Sequence, residues 1–269
     1  MARRRPHRAR MGEARSSTPV RVDVSILKRP SLSKPVLICG LPDTGQVAKI
    51  VIDQLVRHVN AEPFADVYSF SFPARVVLKD DGTVELLKHR LYYEQAHNGV
   101  GDLILYTGDV QPESPEAAYA ITDRVLELCI SLGVKSIITV GAYITGTINQ
   151  APKVYATATT TALLKELEAT QLPLIREGEI TWMNGLILGL AKVRDVPAIF
   201  YAGETSGLPH LEDTRAAAAV LRVLDERMKL NLDPAKLQEL ANKTEDFLKS
   251  MEEFNERPST SKRDSGYIR

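Results

Sequence analysis

The sequence predicts an α/β fold: a twisted, mostly parallel sheet flanked by helices and followed by a C-terminal helical pair. Three observations predict it. Apolar runs beginning at Val36 (VLICGLPDTG), Leu103 (LILYTGDVQP), Ile137 (IITVGAYITG) and Ala198 (AIFYAGETSG) each break into a glycine-bearing turn. Continuous apolar runs of this length suit strands buried on both faces, as in parallel sheets. Stretches of helical spacing lie between them, which is the alternation of βα units. The loops of such a sheet gather at one edge, where these folds bind their ligands or partners.

Taken in order, residues 1–19 are basic and polar without any period and are expected to form a disordered extension, with Met11 a candidate start. The α/β core is expected over residues 20–210, C-terminal helices over 211–254 and a flexible tail over 255–269. Pro35 to Cys39 suits a buried strand and Gly40 to Gly45 a loop. From Val47 the positions Ile50, Val51, Leu55 and Val59 recur at helical spacing. Phe64 to Tyr93 instead alternates and carries the turn signal Asp80, Asp81, Gly82 between Val76 to Leu78 and Val84 to Leu87, so a hairpin region that forms an antiparallel extension of the sheet is expected. Leu103 to Tyr106 resumes the buried strands, and a helix follows that Pro115 opens and Gly133 closes.

Further on, Ile137 to Val140 and Val154 to Ala158 are expected strands, and Thr159 is placed to cap a helix from Thr160 to Glu168. Leu186 to Val193 suits a buried helix, and Pro197 to Tyr201 the last central strand. Two helices close the chain, Asp213 to Lys229 and Pro234 to about Asn255, the second capped by Asp233. Leu237, Leu240, Thr244, Phe247, Met251 and Phe254 form a heptad-like stripe along it, which fits docking on its own domain or an oligomer contact.

Composition narrows the function. Of 269 residues, 44% are hydrophobic and 25% charged, with 34 basic against 34 acidic side chains, so no global attraction to nucleic acid or membranes is expected. The exception is the start, where Arg3, Arg4, Arg5, Arg8 and Arg10 have no acid among them; a nucleic-acid arm or transit peptide is the alternative to a disordered extension. No apolar run approaches the ~20 residues that cross a bilayer, so a cytoplasmic protein is expected. Cys39 and Cys129, each inside an apolar segment, suit buried reduced thiols rather than a disulfide or metal pair.

The candidate site is the loop edge: Gly40, Pro42, Gly45, Gly108, Asp109, Gly141, Gly203 and Glu204. GLPDTG lies between strand and helix, where amides could hold an anion, although its glycine spacing matches neither a dinucleotide fingerprint nor a Walker loop; a tight βα turn is the alternative. Asp109 and Glu204 follow glycines at strand ends, either as an acid and base pair or a metal-binding pair, or as acceptors for loop amides or caps of the next helix. His7, His58, His89, His97 and His210 show no metal spacing and none adjoins a nucleophile; only His210 is near the edge. Trp182, the sole tryptophan, is expected to pack. No catalytic residue, metal or cofactor is assigned.

The ordered set LKRPSLSKPVLICGLPDTGQVAK, DLILYTGDVQPESPEAAYAITDRVLE, GVKSIITVGAYITG, APKVYATAT and NGLILGLAKVRDVPAIFYAGETSG, followed by paired helices, resembles the archaeal branch of the proteasome assembly chaperone family from about Val24 to Phe254. The resemblance implies a fold similar to nucleoside phosphorylases without catalysis, homo-oligomers and binding to proteasome α subunits. It also implies a tail contact, here Tyr267, Ile268 and Arg269. In that family some tails end hydrophobic-Tyr-any, whereas here Gly266 precedes Tyr267 and Ile268 stands at the tyrosine position. The ring is thereby displaced by one residue, about 3.3 Å of extended chain, which favours assembly over gate opening. The alternative function is an enzyme or binding protein for a nucleoside-like or phosphorylated ligand.

Overall fold

A strand with apolar residues at successive positions is stable only where both its faces are covered, and this chain supplies helices for both. The structure, a computed structural model, describes residues 20–95 and 101–256. The elements run β1 (Val22–Ile26), β2 (Val36–Cys39), α1 (Val47–His58), β3 (Glu62–Ser69), β4 (Val76–Leu78), β5 (Val84–Leu86), β6 (His89–Glu94), β7 (Leu103–Gly108) and α2 (Pro115–Ser131). There follow β8 (Ser136–Ile144), β9 (Val154–Ala158), α3 (Thr161–Glu168), α4 (Trp182–Val193), β10 (Ala198–Thr205), α5 (Thr214–Met228) and α6 (Pro234–Glu256).

Eight strands form one mixed sheet in the order β1-β3-β6-β7-β2-β8-β10-β9. Its centre, β7, β2, β8 and β10, is parallel; β6, β3 and β1 continue it antiparallel on one side and β9 on the other. On β2, Leu37 and Cys39 join the core beneath α2 and α4, while Ile38 joins the core beneath α1 and α5. That alternation buries Leu37, Ile38 and Cys39 and leaves Val36 half-buried, each buried Leu or Ile contributing roughly 1.5–3 kcal/mol. Cys39 and Cys129 are buried free thiols, and burial pushes Cys39 up to about 12.

Helix ends follow the chain's local chemistry. Ser114 accepts from the Ala117 amide ahead of α2, whose first residue is Pro115, and Gly133 past its end adopts φ +89°. The cap of α3 is Thr160, one residue later than expected, because the Thr159 hydroxyl is held by the Ala198 backbone, accepting from its amide at 2.9 Å. The helix expected from Leu186 begins earlier, at Trp182, and buries one face only: Met183, Asn184, Ile187 and Ala191 are buried while Val193 is exposed.

Register refines one expectation and corrects another. The Phe64 to Tyr93 region does extend the large sheet antiparallel, through β3 and β6, but the strands flanking the Asp80, Asp81, Gly82 turn, pairing Val76 with Leu86 and Leu78 with Val84, form a two-stranded sheet of their own. Gly141 and Gly203 do not end strands either, since β8 and β10 run through them. A Cβ on Gly141 would lie 2.6 Å from the Phe200 ring, and one on Gly203 2.9 Å from the Ala216 carbonyl. These glycines permit close packing rather than turning the chain.

Of the stripe on α6, Leu237, Leu240 and Thr244 are buried in the α5 side of the core, whereas Phe247 is 42% exposed. Thr214 and Thr244 fasten the pair reciprocally: the Thr214 amide donates to the Thr244 hydroxyl at 2.8 Å and the Thr244 amide to the Thr214 hydroxyl at 3.1 Å. Among the described residues no helix is long and apolar enough to cross a membrane.

Candidate functional site

The loop after β2 is a clasp made of backbone. A Cβ on Gly40 would come within 2.7 Å of the Ala48 carbonyl, and Gly45 has φ +71°, so both positions require glycine for a tight βα turn. The Gly45 carbonyl accepts from the Asp213 amide, and Asp213 in turn caps α5 by accepting from Ala216. The amide of Ala48 at the start of α1 is already bonded to Asp43 Oδ1 at 3.1 Å. An anion would therefore meet a carboxylate at this turn instead of open amides.

The two acids read as a possible pair are separated. Asp109 follows β7 and Glu204 lies on β10, three strand spacings away, or about 14 Å. Each is committed to loop amides: Asp109 Oδ2 accepts from Lys88 at 2.9 Å, and Glu204 Oε2 from Lys153 at 2.9 Å and from Asn149 Nδ2 at 3.3 Å. Gly108 makes room for a neighbour, since its Cβ would sit 2.1 Å from the His89 ring. His210 is exposed on the loop after β10, at φ +63°. Tyr267, Ile268 and Arg269 lie outside the described residues.

The edge does hold a cavity of about 480 Å³, built from the loop after β2, the end of β8, the segment before α4 with the first turn of that helix, and single residues from β10 and the loop after β7. Of the expected edge residues it takes in Pro42 and Gly141; Gly40, Gly45, Gly108, Asp109, Gly203 and Glu204 are not in its lining. Asn184 anchors its floor, its side chain accepting from the Leu41 amide at 2.9 Å and donating to the Leu41 carbonyl at 3.1 Å. Burial pushes the Asp43 carboxyl up to about 7 against the opposing pull of the Ala48 amide.

Sequence reasoning missed three features here. Trp182 does not pack inside; it is 50% exposed in the lining, with a left-handed backbone at φ +56°. Such a conformation is costly for a bulky residue and is tolerated where surrounding structure imposes it. The signal was the adjacent run EGEITW, acids next to the one tryptophan. Asn184, polar at the head of an apolar run, was a second signal. The third is His89, fully buried on β6: its Nε2 donates to the Val110 carbonyl at 2.8 Å, which leaves Nδ1 to accept from the Tyr106 hydroxyl at 2.5 Å. Burial holds this imidazole down to about 4, so it is a neutral structural group.

A second surface stands out by its exposure. On the β4–β5 hairpin, Val76, Leu78, Val84 and Leu86 share one face and are 51%, 75%, 60% and 63% exposed. Beside them Phe70 is 78% exposed, with the Arg21 guanidinium over its ring at 5.2 Å. Hairpin and Phe70 bound an apolar groove of about 690 Å³ that Tyr68, Phe72 and Pro73 complete. Soluble monomers rarely leave such a continuous apolar patch uncovered.

Comparison with known proteins gives this architecture its context. The chain is similar to the crystal structure of Pyrococcus furiosus PbaB, an archaeal proteasome activator, at 30% identity and TM-score 0.79, over 86% of this chain and 98% of that one. It shares the fold of Pyrococcus furiosus PbaA, an archaeal homolog of proteasome-assembly chaperone, at 24% identity and TM-score 0.72, over 87% and 93% of the two chains. An uncharacterized protein of Methanocaldococcus jannaschii is 29% identical over 226 residues, covering 84% of this chain and 86% of its own. The model of the PAC2 family matches residues 37–252, the whole sheet from β2 onward and both C-terminal helices, and on that match the chain belongs to the PAC2 family.

Proposed function

We propose that this protein is a non-enzymatic, cytoplasmic proteasome assembly chaperone-like factor that works as a homo-oligomer, binds core-particle α subunits and assists or regulates their assembly. The observation that carries this reading is the hairpin with its open apolar face. Unassembled ring subunits expose apolar and strand-edge surfaces, and a partner that covers them suppresses wrong associations. Within the described residues β4 and β5 pair only with each other, so their outer edges are available along with their side chains. The likeness to a proteasome activator at 30% identity supports the proteasome as the target class.

The loop edge supports binding rather than catalysis. Asp109 and Glu204 are held by loop amides, and the cavity lining sets no histidine, lysine or cysteine beside the raised carboxyl of Asp43, and no lysine or arginine to anchor a phosphate. That lining speaks against the phosphorylated-ligand alternative. A second reading, activation of the assembled particle, is favoured by the same likeness to PbaB and would use residues 255–269 as a tethered contact.

The test is a pull-down of purified α and β subunits from the same organism with the full chain, with Leu78→Lys/Leu86→Glu, and with a chain ending at Phe254. Retention of α subunits by the full chain, lost in the hairpin variant, supports the assembly reading. Retention lost only with the tail moves weight to activation, and stimulation of core-particle peptidase activity would then be measured. No retention by any form overturns both.

A further inference from the structure

We propose that the cavity at the carboxyl edge of the parallel strands is a binding site for a guanidinium or primary ammonium group carried on an apolar stem. Its ionisable groups are of one kind: the carboxyls of Asp43, Glu177 and Glu179 line it, and no cationic side chain does. Glu177 and Glu179 make no ion pair among the described residues.

The second observation is independent of charge. Buried oxygens without a partner are rare and costly, and two residues of this lining carry one each, Asp43 Oδ2 and Gln111 Oε1. Their neighbouring atoms are fixed: Asp43 Oδ1 is held by the Ala48 amide, and Gln111 Nε2 donates to the Pro42 carbonyl at 3.0 Å. Turning the Gln111 amide over would therefore lose one bond to gain none. Gln111 Oε1 is an acceptor at any pH and Asp43 Oδ2 becomes one as its raised carboxyl ionises above about pH 7, so there the group that satisfies both must donate more than once.

The walls favour the same group. Trp182 stands half exposed in the lining, and Tyr143 is backed by Tyr155 in a stack with ring centroids 4.0 Å apart. Aromatic faces attract cations, and a guanidinium, planar with five donors, can stack on a ring while donating to carboxylates. An anion, a neutral sugar or a bare apolar group meets only part of this lining. The group can arrive on a small guanidine or amine, or as an arginine or lysine side chain of a bound protein; the chemistry is shared.

The sole tryptophan sits in the lining, so its emission reports occupancy directly. Full-length protein is titrated at about pH 8, where Asp43 is ionised, with agmatine, with a short capped peptide containing one arginine, and with inorganic phosphate, each to about 10 mM. A saturable change with agmatine or with the peptide is expected, and silence with phosphate. A response to the peptide alone assigns the group to a protein partner, and a response to agmatine assigns it to a small molecule as well. Asp43→Asn keeps the acceptor for Ala48 and is expected to weaken binding about tenfold or more, while Glu177→Gln/Glu179→Gln, both on the surface, weakens it without touching the core. Thermal melts of both variants confirm that they fold. Silence with both cationic probes, undiminished binding in both variants, or saturable binding of phosphate overturns the proposal.

Discussion

At the scale of single residues, Asp43 and His89 give the folded state opposite responses to pH. The Asp43 carboxyl is raised from 3.8 to about 7, so the native chain holds a proton that the unfolded chain has released; the stability it contributes is complete below about pH 4 and is lost as pH rises through 7. His89 is lowered from 6.5 to about 4, so its contribution is present above about pH 6.5 and is lost as pH falls through 4. Between pH 5 and 6.5 the two slopes offset, and a nearly flat profile is expected by denaturant unfolding. In Asp43→Asn only the histidine slope remains, so stability should climb with pH across that window and exceed that of the parent protein at pH 8 by roughly 2–4 kcal/mol. An unchanged profile would show that Asp43 is ionised in the folded protein. Cys39 and Cys129, by contrast, were legible as buried thiols from their apolar surroundings alone.

At the scale of elements, the C-terminal pair is fixed by a contact that no helical pattern announces. Thr244 lies on the apolar stripe of α6 and exchanges amide-to-hydroxyl bonds with Thr214. Thr244→Val keeps the volume but removes the buried hydroxyl that bonds the Thr214 amide and hydroxyl and the Glu212 carbonyl, so a loss of about 1–3 kcal/mol is expected in chemical denaturation, with α6 the first segment to gain amide exchange. The β4–β5 hairpin should behave in the reverse way. It belongs to its own small sheet and leaves β3 and β6 paired with each other, so replacing residues 76–86 by a short glycine turn should move the melting temperature little while abolishing capture of α subunits. A collapse of stability would make the hairpin structural. The turn signal located this hairpin to the residue, yet nothing local showed that it would stand apart from the main sheet, because that depends on which strands β3 and β6 meet.

At the scale of the molecule, the proposed homo-oligomer predicts a mass by light scattering that is a multiple of the 29.7 kDa chain and that persists on dilution; a monomer at all concentrations would remove it. The sequence by itself determined the α/β class, the buried central strands, the helical pair and the family, because a run such as VLIC leaves a strand no stable place except between two covered faces. It also marked the edge of the sheet as the place to look. Only the tertiary structure decided what that edge contains. It separated Asp109 from Glu204 by two intervening strands, turned Gly141 and Gly203 from loop residues into packing sites, and left Trp182 half exposed among acids and unpartnered oxygens from segments far apart in the chain. The reason is physical: periodicity and capping act over a few residues and are written locally, whereas a cavity and its unmet hydrogen bonds exist only where strand order and register bring distant residues together.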